Sequence, residues 1–233
     1  MDKIPQIQYQ NLYCWFDSPI TKLNCGDKCA PFNENNIPFC CDIRQTVPSV
    51  HLSEWEFLSS NTDLWHEWDD TTEIHSKQLN LDKPADHILL ACKGHLECQR
   101  EFRSLTCRAF PFFPYIDRSG SFIGISYYWL YENRCWIISH LDLITSEYLD
   151  GFIHAFDYLF INQPTEKQNF EYHSMIMRRV FGRWGREITL LHRNQKFYKI
   201  SPRTGDLTLT DPRSFDKFSP YDLVDKLPFP EET

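Results

Sequence analysis

Cys107-Arg108-Ala109-Phe110-Pro111-Phe112 lies near the middle of the chain, followed by Phe113 and Pro114. Pro111 and Pro114 rule out a regular helix here, because each removes an amide donor and crowds the preceding turn. The prolines instead stiffen the chain as it leaves Cys107, and Phe110, Phe112 and Phe113 can keep water from the sulfur. A thiolate with a dry surround is suited to hold and tune a metal centre.

Outward from Cys107, the chain carries Cys25, Cys29, Cys40 and Cys41 in one group and Cys92, Cys98, Cys107 and Cys135 in another, with Cys14 apart from both. The opening residues MDKIPQIQYQ contain no apolar stretch of signal-peptide length, and no run of about 18 apolar residues occurs anywhere. A soluble, cytoplasmic protein with no membrane association is therefore expected. In a reducing compartment, clustered cysteines point to soft-metal ligation ahead of disulfides. Cys14 is expected to be a small buried side chain.

The local spacings are Cys25-x3-Cys29, ten residues to Cys40, then Cys92-x5-Cys98-x8-Cys107. Neither the paired Cys-x2-Cys knuckles of a zinc ribbon nor the compact run of a bacterial ferredoxin is present. The doublet Cys40-Cys41 is awkward for a single site, since adjacent side chains normally diverge. It can serve two centres, give one ligand plus a buried thiol, or grip different iron atoms of one cluster. Eight cysteines suit two four-thiolate Zn2+ sites, or one iron–sulfur cluster on four cysteines with thiols to spare.

At 233 residues, 42% hydrophobic and 15% aromatic, the chain can build one sizeable core. The expected fold class is α+β: a single irregular, loop-rich domain over 1–233 organised around the metal centre. The cysteine-cluster part spans about 11–140, and a helical and hairpin part about 141–233. Asn11 to Val50 reads as loop, and a helix is expected near 53–60, capped by Ser53. The buried run Ile88 to Ala91 leads into Cys92, Phe122 to Tyr131 reads as a strand, and helices are expected at about 142–161 and 167–182. Glu187 to His192 and Lys196 to Ile200 read as a hairpin, and the stretch from Pro202 as an extended surface tail.

The net charge of -8 is uneven, with 13 basic and 24 acidic side chains over residues 1–177 against 11 and 8 over 178–233. An acidic amino-terminal part is a poor partner for phosphate backbones, so nucleic acid is disfavoured and a protein partner or substrate remains unnamed. The basic segment Arg178 to Arg203 offers a contact for RNA or an acidic partner, although several of its arginines can simply offset nearby acids. His95, between Cys92 and Cys98, is read as a solvent-exposed loop residue ahead of a mixed ligand, and His51, His87 and His140 have no assigned role. The acids Glu67, Asp69, Asp70 and Glu73 lack the Asp-x-Asp-x-Asp-Gly pattern of an EF-hand loop and read as a solvated face. No phosphate loop, dinucleotide fingerprint, nucleophile elbow or radical S-adenosylmethionine motif is present.

The order of these elements resembles the YkgJ-type cysteine-cluster family, described as a zinc- or iron-chelating domain. The matching parts are Cys25, Cys29, Cys40-Cys41, Cys92, Cys98, Cys107-Arg108-Ala109-Phe110-Pro111 and Cys135, spanning residues 25–135. A similar arrangement occurs in the flagellin lysine N-methylase FliB, which implies an iron–sulfur cluster, [4Fe-4S], ahead of zinc, and leaves a methyltransferase-like enzyme as an alternative. The eight matching cysteines are the implied ligand set. Arg108 is the candidate to donate hydrogen bonds to thiolate or sulfide, or to bind an anionic substrate, against the alternative of an ion pair. The ten-residue gap before Cys40 and the pair Cys135-Trp136, where the family more often has Cys-Pro, depart from the pattern.

Overall fold

The computed structural model describes residues 7–68, 79 and 83–224. It is 46% helical with 17% in antiparallel sheets, an α+β fold in a single domain. A small sheet in the order β1-β3-β2 joins β1 (Ser49–His51), β2 (Trp65–Glu67) and β3 (His87–Cys92). A larger sheet runs β4-β5-β6-β7-β8, from Phe112–Ile116, Phe122–Tyr127, Ile188–His192, Phe197–Ile200 and Leu207–Leu209. Since it takes strands from both sides of residue 140, the expected amino- and carboxyl-terminal parts share one sheet.

The segment after Cys107 becomes β4, with a cis peptide between Phe110 and Pro111. Pro114 is accommodated because β4 is an edge strand, where a missing amide costs no ladder bond. All five residues of β4 are buried, which an edge strand achieves only if both faces are covered. Phe112 and Ile116 face the main core, with Phe152 and Phe156, whereas Phe113 and Tyr115 pack with Met177, Phe181, Ile188 and Leu190 in a second cluster. The period of two along β4 thus divides its side chains between two helices.

Those helices start where local chemistry dictates. The first long one, Ser146–Asn162, begins after Thr145, whose hydroxyl accepts from the Tyr148 amide, so residues 141–143 form a separate 3-10 turn. The second, Pro164–Trp184, begins three residues before the expected 167, because Pro164 fits the first helical turn. It ends at Gly185 in the left-handed region, φ 67°. The helix Leu52–Asn61 is capped by His51, whose Nδ1 accepts from the Ser53 amide; Ser53 is the second helical residue, not the cap. In chain order, the helices that frame the thiols and the core are α1 (Tyr9–Trp15), α2 (Cys25–Cys29), α3 (Leu52–Asn61), α4 (Leu105–Ala109), α5 (Ser146–Asn162) and α6 (Pro164–Trp184).

Three further expectations are adjusted. Strand β5 ends at Tyr127, because Trp129–Tyr131 turns as a 3-10 helix. The hairpin of β6 and β7 is there, but as the middle of the larger sheet, with Ile125 paired to Leu191. The tail is not merely extended: it forms β8 on β7, then a 3-10 turn and the short helix Tyr221–Val224, with Tyr221 fully buried. Most of the acidic surface segment lies outside the described residues.

Candidate metal centre

Short, tightly turned elements deliver the cysteines. Helix α2 places Cys25 and Cys29 one turn apart and so on one face. A 3-10 turn, Phe39–Cys41, brings the two doublet sulfurs to 3.9 Å. Adjacent side chains diverge in a strand, but the tight turn lets these converge. Cys92 ends β3, Cys98 follows a 3-10 turn, and Cys135 precedes another. Cys107 sits on α4, whose first turn is fixed by Ser104 Oγ accepting from the Cys107 amide at 3.2 Å.

The thiols perturb one another across both sequence groups. Cys41 acts on Cys25, Cys29, Cys92 and Cys107, Cys98 on Cys92 and Cys107, and Cys25 and Cys29 on Cys135, while Cys40 is coupled first to Cys41 and then to Cys135 and Cys107. Burial pushes Cys107 up to about 12 and Cys29 up to about 11, with neighbouring thiolates adding to it. Cys25 and Cys92 are raised, and Cys135 well above the ordinary thiol value, again mainly by burial. Cys40 rises well above it as well, first because its thiol donates to Cys41 and then through burial. Cys41 goes the other way, to about 7: it accepts from Cys40, and Arg103 assists against the opposing effect of burial.

Arg103 is therefore the cation of this region. Its Nε donates to Cys98 Sγ at 3.1 Å. Burial disfavours its charge, but the hydrogen bond to Cys98 and the charges of Cys98, Cys107 and Cys41 outweigh that and raise its pKa. Nothing in the sequence distinguished it from neighbouring arginines, because its place depends on the loop that brings Cys98 back beside α4. The other residues the sequence did not flag are Tyr148 and Tyr221, whose hydroxyls are held up by burial first and by the charges of Cys25 and Cys135, or Cys29 and Cys135. Phe110, edge-on to Tyr131 at 4.7 Å, and Phe112 line a neighbouring cavity, and Phe113 packs in the second core cluster, so the phenylalanines expected to keep water from Cys107 are engaged elsewhere.

Arg108 does not take the role expected of it. Nε donates to Arg103 O, Nη1 to Tyr13 O, Phe16 O and Asp17 Oδ1, and Nη2 to Arg100 O and Glu101 O. The guanidinium also lies over the Tyr13 ring, 4.6 Å from its centre. All its donors are engaged by five backbone carbonyls and a carboxylate, so it ties α1 and the 100–103 loop to α4 instead of facing a cluster or an anion. Cys14 is a second correction: it is exposed, on the outer side of α1.

His95 is exposed on its 3-10 turn, as expected. His140 is buried, stacked on Trp136 at 4.2 Å and bonded through Nδ1 to Trp136 O, a packing role. His51 and His87 stand 5.9 Å apart, ring to ring, beside the small sheet and away from the thiols. Of the acidic run, Asp69, Asp70 and Glu73 lie outside the described residues. In the basic segment, Arg178 donates to Ile116 O and Arg186 pairs with Glu132, which ties up part of the charge internally.

The donor set fits a soft metal, and its spacing bears on which one. Around zinc, with Zn–S near 2.3 Å, thiolate sulfurs stand about 3.8 Å apart. Among the described residues only Asp86, His87 and Glu166 put three such ligand atoms within 4.8 Å of one another, so no three cysteine sulfurs are that close. No protein family, curated protein or solved structure matches this chain.

Proposed function

We propose that cysteines drawn from this group of eight hold an iron–sulfur cluster, [4Fe-4S], in a metal-binding protein with a structural or redox role. The observation that carries this is the gathering of the eight thiols close enough to perturb one another, with Arg103 as a cation among them. Such a cluster supplies one-electron chemistry whose potential depends on burial and on hydrogen bonds to sulfur. Arg103 provides such a bond at Cys98. Cys98, Cys107 and Cys41 are the ligands this reading favours, since their charges act on Arg103. The resemblance to cysteine-cluster proteins rests on cysteine order alone, and the methyltransferase-like reading rests on that resemblance. A cytoplasmic setting is part of this proposal; the cysteines are free thiols, and no described helix is long and apolar enough to cross a membrane.

A second reading follows from the number of thiols. Eight cysteines suffice for a pair of four-thiolate zinc sites once the sulfurs close around their ions.

Anaerobic purification with metal and acid-labile sulfide analysis separates them. Brown protein with sulfide is expected, and Cys107→Ser should lose both. Colourless protein with two equivalents of zinc, halved in either Cys107→Ser or Cys135→Ser, overturns the cluster in favour of the pair. Unchanged metal in Cys107→Ser removes that residue from the ligands.

A further inference from the structure

On the opposite side of α4 from the other thiols lies a cavity of about 640 Å³, walled by β1, α3, α4, α5 and α6. Much of its wall is aromatic, yet two buried carboxylates, Glu54 and Glu166, face into it, and its described lining contains no lysine or arginine. Three polar atoms of that lining, Gln163 Oε1, Asn169 Nδ2 and His173 Nε2, are shut off from solvent with no hydrogen-bond partner among the described residues. Leaving such atoms unpaired is costly, which points to a polar occupant.

At the edge of this cavity, one ligand atom each of Asp86, His87 and Glu166 lies within 4.8 Å of the others. His87 Nε2 is 2.5 Å from Glu166 Oε1, and His87 Nδ1 is 3.0 Å from Ser49 Oγ. The short Nε2–Oε1 contact places a proton between the two groups; a metal ion would take that proton's place, with Ser49 Oγ accepting from Nδ1–H, the outer-shell support that metal-binding histidines usually have. His51 is different. Its Nδ1 accepts from the Ser53 amide at 3.1 Å and from Gln163 Nε2 at 3.1 Å, so its proton is on Nε2, which stands 3.5 Å from Asp86 Oδ2. His51 is thus a support for Asp86 and not itself a ligand. The side chains of His87 and Glu166 are 10% and 8% exposed and that of Asp86 36%, so the group is buried toward the cavity and open at the Asp86 side, where an ion can enter.

We propose that Asp86, His87 and Glu166 form a divalent-metal site of nitrogen and oxygen ligands at the cavity wall, separate from the thiols. One imidazole and two carboxylates select borderline or hard ions such as Zn2+, Mn2+ or Fe2+, in contrast to the soft thiolate region. Three protein ligands leave coordination positions for water or for a molecule in the cavity, the pattern of reactive sites and not of closed structural ones. The dipositive ion replaces the proton shared by His87 and Glu166 and brings charge to a lining that has no lysine or arginine among its described residues. Gln163, Asn169 and His173 then serve to orient a polar ligand beside it.

Co2+ titrated anaerobically into the intact, metal-loaded protein tests this, because cobalt reports its ligands by absorption. One further equivalent is expected, with weak visible bands and without the intense near-ultraviolet band of thiolate-bound cobalt. Asp86→Asn and Glu166→Gln should each weaken uptake at least tenfold while circular dichroism is unchanged. If Glu166→Gln does not fold, Asp86→Asn, a half-exposed position, decides by itself. No added equivalent, a thiolate band on the added cobalt, or wild-type affinity in Asp86→Asn overturns the site. The spectrum keeps this outcome distinct from success or failure of the cysteine centre.

Discussion

Replacing Glu54 by Gln should remove a pH dependence that the fold builds in. Glu54 is 3% exposed, and its Oε1 accepts from both Tyr13 Oη and the Leu105 amide at 2.6 Å. Burial nevertheless dominates and lifts its pKa from the ordinary 4.5 to about 7, against the help of those two donors. The folded state then holds a proton that the unfolded chain has released, so this carboxyl's contribution is most favourable below pH 4.5 and is lost as pH rises through about 7. At 1.36 kcal/mol per pH unit, the full loss is about 3 kcal/mol, of which about 2 kcal/mol falls between about pH 5.5 and 8.5. Glutamine keeps the acceptor oxygen and has nothing to ionise. Urea unfolding of both proteins across that range should therefore show the variant gaining about 2 kcal/mol on the wild type toward high pH. Parallel profiles, differing by a constant, would refute the assignment of a proton to buried Glu54.

Arg108→Lys offers three donors where five are used, leaving buried carbonyls of residues 13, 16 and 100–103 unpaired. It should cost about 3 kcal/mol in denaturant unfolding without changing metal per folded molecule; metal loss at unchanged stability would return Arg108 to the centre. Gly124→Ala should cost about 2–3 kcal/mol, because the added Cβ meets Leu191 O at 2.3 Å and His192 Cα at 2.7 Å, backbone atoms of the paired strand that cannot yield. Gly185→Ala is the contrast: nothing lies within 4 Å of its Cβ, so only the left-handed φ of 67° opposes it, and about 1–2 kcal/mol is expected in the same assay. Equal losses at the two positions would mean that strand approach is not the determinant at Gly124.

The elements legible in the sequence were those with a strong period or a decisive residue. Leu149, Phe152, Phe156 and Leu159 bury at helical spacing and betray α5, while Pro111 and Pro114 correctly forbid a helix after α4. What escaped were features created by distant partners. His51 displaced Ser53 as a cap because its ring nitrogen reaches the Ser53 amide from outside the helix. Leu207 to Leu209 became a strand only because β7 offers an edge. For the site, cysteine order found the thiols, but their environment came from elsewhere: Arg103 through a loop, and Tyr221 from the chain's end. Asp86, His87 and Glu166 carry no spacing signal, since Glu166 arrives on α6, 79 positions from His87.

Helix α4 has only five residues, and both regions use it. Cys107 belongs to the thiol set, while Leu105, Thr106 and Ala109 line the cavity, and Thr106 Oγ1 anchors the helix to Ser49 O at 2.7 Å. So short a rod cannot turn at one side and stay still at the other. A cavity ligand that prefers the helix position set by metal at Cys107 must tighten that metal by the same factor by which the metal tightens the ligand. If both proposed sites are filled, soft sulfur and polar cavity would in this sense be one thermodynamic device with two handles.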